Sequence, residues 1–284
     1  MPNRSDATVV EHFLTSADIP PAERVRVGRN RRVDAPRGGP YIRRHLSVVC
    51  YVVRAPKMSS QKGKLGFRVL AGPPRLSGAL VDRFRGLAAP NLADAMGRFN
   101  FMDPAIQTRS RLPLCGIAVT VLCRPGDNLM VHKALQVAEP GDVVVVNTCG
   151  GLSTAVFGEL MCHTASAKKL GGIVVDGAIR DVDGITRLGF PAFSRTVSPG
   201  ACDKDGPGEI NVPIACGGAA VMPGDIIVGD DDGVAVVPRD NAEEVLTLVA
   251  ELIARERARI AEIQAGSWYR AEIDESLRKK GIID

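Results

Sequence analysis

The chain lacks the short signatures of several common enzyme sites. It contains no GxGxxG or GxxxxGK[ST] pattern, which excludes the usual dinucleotide and P-loop phosphate sites. It also contains no HExxH and no GxSxG, which removes support for a zinc protease or an α/β-hydrolase. Its seven cysteines are odd in number and include no CxxC pair, so a disulfide framework or a zinc cage is not expected. Reduced thiols of a cytoplasmic protein explain them better.

Long hydrophobic runs are also missing from the N-terminal part of the chain. The longest, Leu46–Val53, is far shorter than the roughly 20 residues that span a bilayer. It also lies too deep in the chain, behind several arginines, to belong to a secretory signal. The net charge of +4 is small, so charge gives no general reason to expect a nucleic-acid or membrane partner. We expect neither partner and a cytoplasmic location.

Basic charge is concentrated at the start of the chain. Residues 1–70 contain 14 Lys and Arg against 5 Asp and Glu, which leaves 22 basic and 27 acidic residues for the remainder. Residues 1–72 also lack sustained periodicity. They predict a disordered basic leader, or a start assigned too far upstream with Met58 as the true first residue. Binding of nucleic acid or anionic lipid is the alternative for such a stretch. The folded domain is predicted over 73–284.

Helices and strands alternate after residue 73, and short strands then cluster. Pro-Gly-Asp occurs at 125–127, 140–142 and 223–225; the last two precede β-branched runs, because Pro-Gly suits a type II turn that leads into a strand. The predicted helices are 76–87, 91–98 (capped by Asn91), 128–138, one ending near 170, 181–188, 239–265 and 270–280. The predicted strands are 116–123, 142–147, 172–176, 192–197, 209–214, 219–222 and 226–229, with a hairpin turning at Asp232-Gly233. This order predicts a layered α/β domain with a mixed sheet.

Two segments carry groups that could bind a small ion. Residues 147–161 (NTCGGLSTAVFGELM) run from a strand end through a glycine-rich loop into a helix, whose free N–H groups suit a carboxylate or phosphate. A tight connection is the alternative. In residues 176–185 (DGAIRDVDGI) a buried strand leads to Arg180 and Asp181. Asp181 could be a helix N-cap, or a hard-cation ligand beside a guanidinium at the carboxyl end of a strand. In the second case the two segments would bind a small oxo acid.

These segments resemble the RraA-like group, which contains metal-dependent class II aldolases for 4-hydroxy-4-methyl-2-oxoglutarate and 4-carboxy-4-hydroxy-2-oxoadipate. The resemblance extends from about residue 78 to the C-terminus. It is carried by DAMGR (94–98), PGDNLMVHKAL (125–135), GELM (158–161), DGAIRD (176–181), GPGEINVPI (206–214) and PGDIIVGDDDGVAVVP (223–238). It implies a compact swivelling β/β/α domain with a long C-terminal helix, assembled into trimers or hexamers with the active site between subunits.

The resemblance also implies roles for particular residues. Asp181 would be the protein ligand of Mg²⁺ or Mn²⁺, with water filling the remaining positions. Arg180 would contact the 2-oxo group and the enolate oxygen. The backbone amides of Leu160 and Met161 would hold the pyruvate carboxylate, on a helix that starts near Gly158 and not at Ser153.

Three acidic residues complete the implied site. Glu159 would orient water beside the metal. Asp94, which stands where some of these aldolases have Glu, and Glu256 on the long C-terminal helix would come from the neighbouring subunit. A solvated helix face is the alternative for Glu256.

The implied reaction is retro-aldol cleavage of a 4-hydroxy-2-oxo di- or tricarboxylic acid to pyruvate and a second oxo acid, with oxaloacetate decarboxylation as a side activity. The alternative is a non-catalytic protein-binding regulator, because the same fold group contains the regulator of ribonuclease E activity. That regulator has a non-acidic residue after the motif arginine. The presence of Asp181 together with Glu159 therefore favours the enzyme.

Overall fold

The computed structural model describes residues 63–284. Most of the predicted leader, 1–72, therefore lies outside the described residues, and its disorder stays a prediction. The last residues of that segment pack on the domain. The N–H groups of Leu70 and Ile210 donate to Ile210 O and Arg68 O at 3.1 and 2.9 Å, and the Arg68 guanidinium bonds both carboxylate oxygens of Glu209 at 2.7 and 2.6 Å. The folded part thus includes residues before 73.

The described residues form seven α-helices, a short 3-10 helix over Arg239–Asn241 and eleven strands. The helices are α1 (Gly78–Asp82), α2 (Ala89–Ala95), α3 (Leu129–Val137), α4 (Glu159–Ala167), α5 (Val182–Leu188), α6 (Ala242–Gln264) and α7 (Ala271–Lys279). The strands are β1 (Gln107–Thr108), β2 (Leu114–Cys123), β3 (Val143–Asn147), β4 (Ala155–Phe157), β5 (Gly172–Ile179), β6 (Ala192–Val197), β7 (Gly208–Ile210), β8 (Ile214–Cys216), β9 (Ala219–Val221), β10 (Ile226–Asp230) and β11 (Gly233–Val237).

A mixed sheet forms the centre of the domain, as predicted. Its main path runs β1-β6-β5-β3-β2-β10-β11, while β4 pairs with β5 and β7 with β2. Strands β2, β3, β5 and β6 are parallel to one another. Strand β1 is antiparallel to β6, β10 is antiparallel to β2, and β11 is antiparallel to β10. The parallel strands bring the carboxyl ends of β4, β5 and β6 to the same edge of the sheet, where open α/β sheets bind ligands.

Three hydrophobic clusters cover the sheet. One, which contains Phe157, lies between the parallel strands and the helices α3, α4 and α5. Another, which contains Phe193, lies on the opposite face beneath the β8–β9 hairpin. The third, which contains Phe84, packs α1, α2 and α6 against β10 and β11. Because both faces of the central strands are buried, β3 is a continuous apolar run, Val143–Val146, without the alternation of a half-exposed strand.

The repeated Pro-Gly-Asp sequence forms turns whose aspartates differ in their contacts. Gly141 and Gly224 have φ values of 86° and 91°, which suit the third position of a type II turn. Asp142 and Asp225 each accept the N–H group three residues earlier, at 2.7 and 2.8 Å, immediately before β3 and β10. Asp127 instead accepts the first N–H group of α3 at 2.9 Å. The same three letters therefore precede two strands and one helix.

Several predicted boundaries are wrong. Helix α2 begins at Ala89, not at an Asn91 cap, because Pro90 fits the first helical turn, where no N–H bond is lost. The predicted strand 209–214 is divided between β7 and β8, since Asn211 has a φ of 57°. Strand β5 continues to Ile179, and Gly233 begins β11 instead of lying in the hairpin turn.

Among the described residues, no helix is both long enough and apolar enough to cross a bilayer.

Candidate functional site

The candidate site lies where β4 and β5 end and α4 and α5 begin. Phe157, the last residue of β4, pairs with Ile179, the last residue of β5. The Arg180 N–H group continues this contact by donating to Phe157 O at 3.0 Å. Both segments then continue into helices, β4 into α4 and β5 into α5. The residues after each strand, Gly158 and Glu159 in one case and Arg180 and Asp181 in the other, are thereby placed side by side.

Gly158 occupies the N-cap position of α4 because its neighbours leave no room for a side chain. A Cβ atom at Gly158 would lie 2.6 Å from Asp181 Oδ2 and 3.1 Å from Arg180 Cγ. The helix itself begins at Glu159, which agrees with a start near Gly158 and not at Ser153. Glycine here allows the first turn of α4 to approach the Arg180–Asp181 pair closely.

Asp181 has an uncommon backbone conformation and faces α4. Its φ and ψ are 58° and 39°, a left-handed conformation that costs a non-glycine residue about 1 kcal/mol or more. It occupies the N-cap position of α5, yet its side chain makes no capping hydrogen bond there. Instead Oδ2 accepts the Glu159 N–H at 3.1 Å and lies 3.5 Å from Arg180 Nε. Its contacts are therefore not those of a cap for its own helix.

The Glu159 side chain runs from α4 to α5. Its Oε1 lies 3.9 Å from Arg187 Nη2, and the carboxylate rests against Gly184 in the first turn of α5. The side chains of Glu159, Arg180 and Asp181 are each about two-fifths exposed, at 41%, 42% and 42%. The three polar groups thus stand at an open edge of the sheet.

The first turn of α4 also offers backbone donors. The Glu159 N–H group is bound by Asp181, but the amides of Leu160 and Met161 have no acceptor within their own helix, as at every helix start. The Leu160 side chain is 83% exposed, whereas that of Met161 is buried in the core. An anion at this position would meet two N–H groups and a nearby guanidinium.

Asp94 and Glu256 lie on other elements, α2 and α6. Asp94 Oδ1 is 3.4 Å from Arg98 Nε, and Glu256 Oε2 accepts a 2.9 Å hydrogen bond from Asn91 Nδ2. Within residues 63–284 neither carboxylate forms a hydrogen bond or ion pair with Arg180, Asp181 or Glu159. A single subunit therefore brings together six of the predicted residues, Gly158 to Met161 and the Arg180–Asp181 pair, but not these two.

Cys162 is not available as a nucleophile beside this cluster. It is buried on the inner face of α4, and burial together with the Glu159 charge raises the pKa of its thiol to about 12. The adjacent His163 is exposed on the other side of the helix. Because residues next to each other on a helix point about 100° apart, the two do not form a nucleophile and base pair.

Comparison with known proteins assigns the fold. The family model named RraA-like, described as Aldolase/RraA, matches residues 89–236, about half of the chain and all of the candidate cluster. The chain belongs to the RraA-like family.

Named relatives within the RraA-like family include aldolases. A Halalkalibacterium halodurans protein provisionally named 4-hydroxy-4-methyl-2-oxoglutarate aldolase is 39% identical over 180 residues, which are 63% of this chain and 86% of that one. A Thermus thermophilus protein named 4-hydroxy-4-methyl-2-oxoglutarate aldolase is 33% identical over 112 residues, 39% of this chain and 68% of its own. The crystal structure of Streptomyces coelicolor RraAS2, an unusual member of the RNase ES inhibitor RraA protein family, matches with a TM-score of 0.60 at 27% identity and covers 66% of this chain and 98% of that one.

The candidate site suits a hydrated hard cation better than a zinc ion held by protein ligands alone. The part of the chain that the structure describes contains no group of three or more His, Cys, Asp or Glu side chains able to hold a metal. A zinc site built from protein ligands alone is therefore a poor fit. Asp181 Oδ1 forms no hydrogen bond within the described residues, and the side chain is 42% exposed, so this oxygen is open to a ligand. This suits a largely hydrated hard cation such as Mg²⁺ or Mn²⁺.

Sequence reasoning missed Gly184 in this RraA-like chain. Its signal is a glycine inside a seven-residue helix, where glycine is less favourable than alanine by about 1 kcal/mol. The glycine is also buried. The Glu159 carboxylate occupies the space of a side chain at position 184. The two residues lie 25 positions apart, so no local sequence pattern reveals this contact.

Proposed function

We propose that this chain is a divalent-metal-dependent aldolase. It would cleave a 4-hydroxy-2-oxo di- or tricarboxylic acid to pyruvate and a second oxo acid, and decarboxylate oxaloacetate as a side activity. The observation that carries the proposal is the cluster in which Asp181 contacts both the Glu159 N–H group and Arg180 beside the free amides of α4. The aldolase names of the relatives support the same reaction class.

The chain itself supplies the groups that bind the pyruvyl half of the substrate. The Leu160 and Met161 amides bind its carboxylate at the amino end of α4, where a negative charge is favoured. The Arg180 guanidinium contacts the 2-oxo group and stabilises the negative charge that develops on this oxygen as the carbon–carbon bond breaks. Gly158 keeps these donors close to Arg180, because any side chain there would separate them.

Asp181 would hold the cation, Mg²⁺ or Mn²⁺, through its free oxygen. When bound, the cation supplies Lewis-acid stabilisation of the enolate oxygen. Glu159, held between α4 and α5, orients the water that takes the proton of the substrate's 4-hydroxyl group. Asp94 and Glu256 would complete the site from a neighbouring subunit of a homotrimer or homohexamer.

A substrate panel tests the reaction class. The purified protein is incubated with several 4-hydroxy-2-oxo acids and with oxaloacetate, in the presence of Mg²⁺ or Mn²⁺, and pyruvate is detected by a coupled assay. We expect pyruvate from at least one hydroxy acid and a slower release from oxaloacetate. Measurable Mn²⁺ binding without pyruvate from any compound would indicate a different 2-oxo-acid lyase.

Asp181→Asn tests the metal role. Asparagine keeps the oxygen that accepts the Glu159 N–H but loses the charge that a hard cation requires. The variant should fold and melt like the parent, fail to bind Mn²⁺ by titration calorimetry and lose pyruvate formation. Asp183→Asn is the matched control, since Asp183 is exposed two residues further on and should retain both properties. Retained Mn²⁺ binding and turnover in Asp181→Asn would contradict the assignment.

A protein-binding regulator is the second candidate, favoured by the similarity to the RraAS2 structure. It predicts no pyruvate from any substrate and no affinity for Mg²⁺ or Mn²⁺. The same panel and the same titration therefore separate the two functions.

A further inference from the structure

The contact between Glu159 and Gly184 is closer than a side chain at position 184 would permit. A Cβ atom built on Gly184 would lie 2.5 and 2.6 Å from Glu159 Oε1 and Oε2, closer than real Cβ atoms approach their neighbours. The three atoms nearest to that position all belong to the Glu159 carboxyl group. The Glu159 carboxyl group therefore occupies the space that a methyl group at residue 184 would need.

Backbone conformation does not explain this glycine. Gly184 is the third residue of α5 and is absent from the positive-φ glycines of the described chain, so alanine could adopt the same backbone. Helical propensity also favours alanine over glycine. Local preferences thus act against glycine, and the Glu159 carboxyl group, the end of a flexible side chain, is what a methyl group there would displace.

Two contacts join the first turns of α4 and α5. The Glu159 N–H group donates to Asp181 Oδ2, just before α5, and the Glu159 carboxylate returns to lie against Gly184 within α5. The position of the carboxylate is therefore limited by how closely it can approach the α5 backbone, with Arg187 Nη2 3.9 Å from its Oε1. A methyl group at residue 184 would push the carboxylate outward.

We propose that Gly184 is a positioning residue for Glu159: the absence of a side chain at 184 lets the Glu159 carboxylate lie against the first turn of α5, between α4 and α5. The contact itself is independent of function, whereas its catalytic consequence rests on the proposed aldolase activity. Gly184 touches neither substrate nor metal in this scheme and acts only through Glu159.

Gly184→Ala is the direct test, with Gly78→Ala as the matched control. Gly78 lies in α1, is exposed, and has no atom within 4 Å of its Cβ position, so its substitution changes helix propensity alone. We expect Gly184→Ala to lower kcat at least tenfold and to leave KM within about twofold, because the amides of α4 and Arg180 are not displaced. Gly78→Ala should leave both constants unchanged. An unchanged kcat in Gly184→Ala would overturn the proposal.

The same substitution in a Glu159→Ala background shows whether the effect passes through Glu159. Once the carboxylate is removed, Gly184→Ala should change the residual kcat less than twofold. A loss by the same factor in both backgrounds would overturn the proposal, since Gly184 would then act by another route. If Gly184→Ala alone does not fold, the double variant must fold for the proposal to stand.

A second measurement separates this inference from the proposed function. In thermal unfolding, Gly184→Ala should raise the melting temperature in the Glu159→Ala background, as we expect for Gly78→Ala in the parent, but lower it or leave it unchanged when Glu159 is present. This coupling needs no activity. Coupling in a protein that yields no pyruvate would leave the positioning role intact and refute only the aldolase, whereas additive shifts would refute the positioning role.

Discussion

At the scale of single residues, charged side chains in this protein often satisfy backbone groups of another element. The Lys168 ammonium, just after α4, donates to the carbonyl oxygens of Leu135, Gln136 and Ala138 at 2.6 to 2.7 Å. These are carbonyls at the end of α3, where helical acceptors lack partners and a positive charge is favourable. Partial burial lowers the pKa of Lys168, while the carboxylates of Asp142 and Glu139 act in the opposite direction. Lys168, which follows the end of α4, thus caps the carbonyl groups at the end of α3.

Lys168→Met should lower the free energy of unfolding by about 1 to 3 kcal/mol, because the apolar stem is retained while three carbonyls lose a charged donor. Thermal or urea unfolding measures the change. Lys169→Met is the control, since Lys169 is the adjacent exposed lysine. Equal losses in the two variants would show that the capping contacts contribute nothing.

Glu209 gives the protein a pH-dependent contact. Hydrogen bonds from Arg68, with a further one from the Gly66 N–H, outweigh burial and hold the pKa of this carboxyl below its usual value. A lowered folded-state pKa contributes stability above the unfolded pKa of about 4.3 and loses it as pH falls through the folded value. Glu209→Gln should therefore be less stable than the parent at pH 7, and the difference in melting temperature should shrink as pH is lowered from 5 to 3. A difference that is constant with pH would contradict this origin.

At the scale of elements, the parts of the fold that depend on local pattern were predictable. Strand β6 has the predicted bounds, and the type II turns before β3 and β10 follow from Pro-Gly. Elements whose bounds depend on pairing with another strand were not predictable. The extension of β5 to Ile179 follows from its pairing with β4, which is only three residues long and carries too short a pattern to recognise.

The candidate site divides in the same way. Arg180 and Asp181 could be predicted from the sequence because they directly follow a buried strand. The approach of Asp181 to the Glu159 N–H group and the space at Gly184 were not, since both arise when two separate strand ends meet. The contact of residues 66–72 with β7 was hidden for a similar reason: a single bridge between Val69 and Ile210 imposes no alternation on the sequence.

The segment 66–72 gives a prediction for truncation. A chain that starts at Met58 keeps the contacts with Glu209 and β7, so its melting temperature and turnover should match those of the full chain. A chain that starts at Pro73 loses Arg68 and leaves Glu209 buried without its guanidinium partner, which should cost at least about 1 kcal/mol of unfolding free energy. Unfolding of the three proteins side by side measures this. Equal stability of the Pro73 and Met58 chains would place the domain start at 73.

At the scale of the whole molecule, the predicted acidic residues fall into two groups. Glu159 and Asp181 share one edge of the sheet, whereas Asp94 and Glu256 lie on the neighbouring helices α2 and α6. In the mechanism that we propose, an assembly brings all four to one site. The assembly is thus part of the proposed mechanism.

Mixing of inactive variants tests this requirement. Asp181→Ala protomers mixed with Glu256→Ala protomers, under conditions of subunit exchange, should regain part of the turnover, because some hybrid interfaces carry neither lesion. Asp181→Ala mixed with Glu159→Ala is the control and should regain none, since these two residues touch within one subunit. Pyruvate release after proven exchange is the readout. Silence of the first mixture alongside the control would place Asp181 and Glu256 in one subunit's site, or Glu256 outside the site.

The exposed Leu160 side chain has a consequence for how the site can diverge. Its amide is the proposed ligand for the substrate carboxylate, while its side chain is 83% exposed and contributes nothing to that contact. Many residues at position 160 would therefore preserve binding, and relatives with the same substrate need not agree there. Gly158 and Gly184, which carry no functional group, would instead be nearly fixed. In a saturation-mutagenesis screen we expect position 160 to accept many residues, although it binds the ligand, and positions 158 and 184, which have no side chain, to accept few.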